Sequence, residues 1–161
     1  MRNVVDYAIE CMDKLDRIGV PYGNIIDITV NSRATRRFGQ CRRLPSGDYA
    51  INISDVLLDE RNDDLLLIDT VFHEILHTAP DCMNHGKEWK RLVDIVNRNY
   101  GTHISRTASS ACLAAPKEVF YKYEFVCKEC GQRVRRQRES NFVKYYTSYT
   151  CGRCGGHFQK V

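Results

Sequence analysis

Along the first seventeen residues, Val5, Ala8, Met12 and Leu15 recur at helical spacing with Asp6, Asp13, Lys14 and Asp16 between them. That pattern predicts an amphipathic helix, which Gly19 and Pro21 end. From Ile25 the period shortens to β-branched runs, IIDITVN and RRFGQCRRL, with YAINIS following the turn residues Pro45, Ser46, Gly47 and Asp48. A hairpin or small meander, and so a small antiparallel sheet, is expected there. Helical period returns in DDLLLIDTVFHEILHTA, whose Asp63 and Asp64 suit the positive end of a helix dipole and which Pro80 stops. Near Gly86 a further helix should start, because Trp89, Leu92, Val93 and Val96 form one apolar stripe and Gly101 supplies its end. Small residues in TASSACLAAPKE, closed by Pro116, read as a connector, and beyond Phe120 the chain is tyrosine-rich and strand-like, without helical period. The fold class expected is α+β, with a body over residues 1–112 and a small β appendage over 113–161.

Composition supports that division. A chain of 161 residues can hold a core of roughly 110 residues plus an appendage. At 43% hydrophobic and 27% charged it is too apolar to be disordered. Its longest aliphatic run, Leu65 to Ile68, is far too short to span a bilayer, and no membrane partner is expected. The opening MRNVVDYAIECMDKLDR interleaves charge with apolar residues and does not read as a secretory leader. Four of the eight cysteines fall into two C-x-x-C pairs, which points to metal over disulfides and to a cytoplasmic protein. The net charge of +4 is uneven, since residues 117–161 carry ten Lys/Arg against four Asp/Glu, leaving the body slightly acidic.

Within the second helix, His73-Glu74-Ile75-Leu76-His77 has the spacing H-E-x-x-H. Residues four apart on a helix differ by about 40° in direction, so both imidazoles can grip one ion, and neutral imidazole suits zinc. Glu74 falls beside the place where a water would lie and can take its proton. A catalytic zinc needs a third protein ligand; His85, at the start of the next helix, is the leading candidate, with Asp81, Cys82 and Glu88 as others. Asp69, one turn before His73, is a candidate to orient that ring or an exposed carboxylate, and Tyr100, His103 and Arg106 are candidates to stabilise an oxyanion.

The tail reads C-x2-C-x20-C-x2-C through Cys127, Cys130, Cys151 and Cys154, the spacing of a structural four-thiolate zinc. Glycine follows the second cysteine of each pair, Gly131 and Gly155, permitting positive φ. Between the pairs Arg133, Arg135, Arg136, Arg138 and Lys144 interleave with Tyr145, Tyr146 and Tyr149, a composition able to neutralise phosphates and stack on bases of DNA or RNA. The remaining cysteines, Cys11, Cys41, Cys82 and Cys112, read as buried small hydrophobes or inert thiols.

Taken in order, RRFGQCRRLPSGDYAINIS, FHEILHTAPDCMNHGKEWKRL and the cysteine tail resemble the SprT-like family of zinc metalloproteases. The resemblance implies a minimal zincin-like metalloprotease domain followed by a zinc ribbon. It also implies metal ligation by His73, His77 and His85, with Glu74 as catalytic base. Gly86 and Trp89 match the family's glycine and bulky aromatic after the third histidine, and Phe38 takes the place of the aromatic before the strand glycine. An edge strand within residues 34–53 would hold an extended peptide by adding it to the sheet. Two readings compete: a zinc-dependent endopeptidase acting on extended or unfolded protein, with one catalytic and one structural zinc, and a zinc-containing nucleic-acid-binding protein whose protease-like site is silent or gated.

Overall fold

A computed structural model of the chain describes residues 1–34, 37–108, 112–114 and 118–161. They fall into two compact units, Met1–Lys117 and Glu118–Val161.

In the first unit, helix α1 (Val4–Arg17) opens on Asn3, whose side chain accepts from the Val5 N–H. Its buried stripe is Val4, Ala8, Cys11 and Leu15, while Val5 is exposed and Met12 only half-buried. The expected stripe is thus out of phase by one position at each of those turns, because valine and methionine carry the same apolar signal as the residues beside them. Strands β1 (Ile25–Asn31), β2 (Gly39–Arg43) and β3 (Tyr49–Ser54) form a sheet in the order β1-β3-β2. The β2–β3 hairpin forms as expected, but the sheet is mixed and not antiparallel, because β1 runs parallel to β3. The physical reason is burial. β3 buries Ala50, Ile51, Ile53 and Ser54 and takes the centre, whereas β1 and β2 each leave residues exposed and serve as edges.

A 3₁₀ turn at Asp55–Leu58 leads to α2 (Asp64–Leu76), capped by the Asp63 carboxylate on the Leu65 N–H. α3 (Lys87–Tyr100) starts after Gly86, buries the expected Trp89, Leu92, Val93 and Val96, and stops at Gly101 in the left-handed region (φ 63°). These helices cover one core that runs from Val4 to Ile104 and includes Phe72, Ile75 and Leu76 of α2. No helix among the described residues is long and apolar enough to cross a membrane.

The second unit is built on a three-stranded antiparallel sheet in the order β5-β4-β6, from β4 (Tyr123–Cys127), β5 (Arg133–Arg136) and β6 (Phe158–Lys160). A short helix, α4 (Asn141–Lys144), capped by Ser140, and a 3₁₀ turn at Tyr146–Ser148 break the strand-like reading of this region. One turn of helix is too short to leave a period in the sequence. Its core is small: Phe125, Cys127, Val143, Cys151 and Phe158.

Candidate metal centre

The last turn of α2 carries His73, and His77 caps its end. The TAPDCMN connection then turns back, with Asp81 at φ 59°, and delivers His85 just before α3. The three Nε2 atoms converge to 3.1 Å (His73–His77), 3.2 Å (His77–His85) and 3.0 Å (His73–His85). His73 Nδ1 donates to the Ser105 carbonyl at 2.9 Å and His77 Nδ1 to the Cys82 carbonyl at 2.6 Å. A carbonyl can only accept, so in both rings the proton sits on Nδ1 and Nε2 presents a bare lone pair. Lone pairs about 3 Å apart repel unless a cation lies between them. Four-coordinate zinc at 2.0–2.1 Å would set its ligands about 3.3 Å apart, so the donor set and spacing fit that ion. Burial, followed by the neighbouring imidazoles, pushes His73 down to about 4, and burial lowers His77 and His85 as well, which keeps the rings neutral as ligands. Trp89 packs against all three rings, with centroids 4.6–5.5 Å away.

Glu74 projects from the same turn and is buried, only 6% exposed. Gly39 of the edge strand β2 makes room for it: a Cβ there would lie 2.5–2.8 Å from Oε1, Cγ and Cδ of Glu74. Burial pushes the Glu74 carboxyl up to about 7, against the Cys41 backbone N–H that donates to it and the nearby Arg37 charge. A carboxyl near 7 can take and return a proton at neutral pH. A cleft of about 560 Å³ opens beside it, lined by His73, Glu74, Arg37, Phe38, Gly39 and residues of the segment after α3.

Of the other candidates, Glu88 is paired with Arg91 and Asp81 lies exposed. Cys82 contributes its carbonyl to His77 and is itself buried. Tyr100 donates its hydroxyl to the Lys14 carbonyl, while His103 and Arg106 line the cleft. Asp69 does not touch His73 in the hydrogen-bond network; it accepts from the His103 backbone N–H at 3.2 Å. Cys11 and Cys82 are buried, Cys41 is half-buried with burial pushing its thiol up to about 12, and Cys112 is exposed beside the cleft. Neither the Cys41 N–H nor the Ser105 carbonyl carries a residue-type signal, so sequence patterns could not find them.

In the second unit Cys127, Cys130, Cys151 and Cys154 come together in a second group able to hold a metal. Sulfurs lie 3.5 Å (Cys127–Cys154) and 3.6 Å (Cys130–Cys151) apart, too far for disulfides and near the edge of about 3.8 Å that tetrahedral zinc–thiolate bonds require. Gly131 and Gly155 take φ 71° and 75°, which lets each knuckle fold its backbone beneath the sulfurs. On the basic face, Arg133 and Arg135 share Glu124 at 2.6 and 3.2 Å, whereas Arg136 lies over the Phe142 ring and Arg138 and Lys144 are exposed. Tyr146 packs into the small core; Tyr145 stays 59% exposed.

A family model matches residues 10–109, and its description is the SprT-like family. The chain belongs to the SprT-like family. The match spans the three histidines and Glu74 and stops short of the cysteine pairs. Among curated proteins, this SprT-like chain is 27% identical over 137 residues to the germ cell nuclear acidic-1 protein of Caenorhabditis elegans. That alignment covers 80% of the chain and 24% of the worm protein, so the SprT-like chain spans about a quarter of its relative's length. No solved structure matches it.

Proposed function

We propose that the protein is a zinc-dependent endopeptidase whose first unit, Met1–Lys117, is the catalytic domain and whose second, Glu118–Val161, is a zinc ribbon. The observation that carries this reading is the convergence of three Nε2 lone pairs within 3.0–3.2 Å, beside a buried carboxylate at the wall of a cleft. His73, His77 and His85 would hold a catalytic zinc, and the four cysteines a structural one. A zinc ion bound by three histidines supplies Lewis acidity to a water and to the scissile carbonyl. Glu74 takes the water's proton and returns it to the leaving amide nitrogen. The Cys41 N–H and the space left by Gly39 hold its carboxylate in one place. Substrate would be an extended or unfolded protein segment, because β2 is a sheet edge that packs beside α2 and can pair with a strand. Casein should be cleaved by the zinc-loaded chain and left intact once a chelator strips the metal; cleavage that survives chelation would exclude the mechanism.

Nucleic acid is the second partner in this reading. Arg136, Arg138 and Lys144 carry no carboxylate partner among the described residues, and the exposed Tyr145 follows Lys144 directly. The worm relative's name calls it nuclear, a setting in which a basic ribbon would meet DNA or RNA. Binding to single-stranded DNA should weaken steeply as salt rises, and a flat response would remove the phosphate contacts.

A further inference from the structure

The segment after α3 hydrogen-bonds the metal centre through the Ser105 carbonyl, which accepts from His73 Nδ1. Two side chains from different helices hold that segment. Asn97 of α3 accepts from the Thr102 hydroxyl at 2.8 Å and the Ile104 N–H at 3.0 Å, and donates to the Ile104 carbonyl at 3.1 Å. Asp69 of α2 accepts from the His103 N–H at 3.2 Å. Thr102 and Ile104 are buried, so between them the two side chains bind residues 102, 103 and 104 in succession and leave the next carbonyl pointing at the imidazole. A simple helix end needs only the Gly101 N–H on the Asn97 carbonyl, which is also present.

We propose that Asp69 and Asn97 are positioning residues for the three-histidine centre, clamping residues 102–104 so that the Ser105 carbonyl locks His73 in the tautomer that presents Nε2 to a metal. The proposal rests on the metal-centre reading above. It adds two residues that act on His73 through the backbone of a third segment, without touching the ion.

The test uses the full chain. Trp89 is its one tryptophan and packs on all three imidazoles, so its quenching by Co²⁺ reports occupancy of the histidine site, while thiolate absorption reports the cysteine site. Asp69→Ala and Asn97→Ala should each weaken Co²⁺ binding at the histidine site, by up to the about 10- to 100-fold lost when a direct partner of a metal-bound ligand is removed, and leave the thiolate site unchanged. Asp69→Asn, which keeps an acceptor oxygen for the His103 N–H, should bind like the natural chain. Unchanged binding in both alanine variants would overturn the clamp. Should those variants fail to fold, nitrogen-15 spectra of the metal-free natural chain still decide: His73 protonated on Nδ1 is expected, and His73 protonated on Nε2 refutes it. If the natural chain takes up no metal at the histidines, the proposed function fails, while His73 protonated on Nε2 would still refute the clamp on its own.

Discussion

Replacing Glu74 with glutamine should lower kcat for casein cleavage by about 10²- to 10⁴-fold, the range a positioned general base contributes. The substitution keeps the shape of the side chain and an oxygen to accept from the Cys41 N–H, so the carboxamide should sit where the carboxylate does. It removes only the capacity to take a proton. Metal at His73, His77 and His85 should be unaffected, because the three imidazoles converge without Glu74. Loss of activity with retained metal therefore separates proton transfer from metal binding. A Glu74→Gln chain that cleaves casein at the natural rate would take Glu74 out of the mechanism and leave its burial and its niche at Gly39 as packing alone.

The second large effect is on stability and concerns the cysteines. The unit Glu118–Val161 has five buried core residues, and two of them, Cys127 and Cys151, are candidate metal ligands. So small a core cannot offset the conformational entropy of ordering the unit, and the shortfall falls to metal binding, which contributes about 10–16 kcal/mol in comparable thiolate sites. Cys130→Ser removes one thiolate and should unfold this unit: amide resonances of residues 118–161 should collapse to random-coil positions. Those of the first unit should persist, since its core from Val4 to Ile104 is complete without the ribbon. A Cys130→Ser spectrum that keeps its dispersion over 118–161 would mean that Phe125, Val143 and Phe158 suffice.

The parts of this molecule legible in the sequence are those written in residue type and spacing. The helix bearing His73 and His77 could be read because an acidic first turn, an apolar period and Pro80 agree, and α3 because Trp89, Leu92, Val93 and Val96 leave no ambiguity of face. The knuckles could be read because glycine follows Cys130 and Cys154 where the backbone takes positive φ. What escaped is what depends on tertiary placement or on backbone atoms. Nothing local distinguishes Val4 from Val5 as the buried one, and strand runs alone do not say that β1 joins β3 in parallel. The Ser105 carbonyl, the Cys41 N–H and the space above Gly39 are formed by segments distant in sequence from His73 and Glu74, and any residue type supplies such a carbonyl or N–H.

The most direct measurement is the zinc content of the purified natural chain beside His77→Ala. Two zinc ions per molecule, falling to one when the imidazole is lost, are expected from two separate ligand groups, one of histidines and one of cysteines. A single zinc in both proteins would mean that the three imidazoles hold no ion, and metal-assisted hydrolysis at that centre would be ruled out.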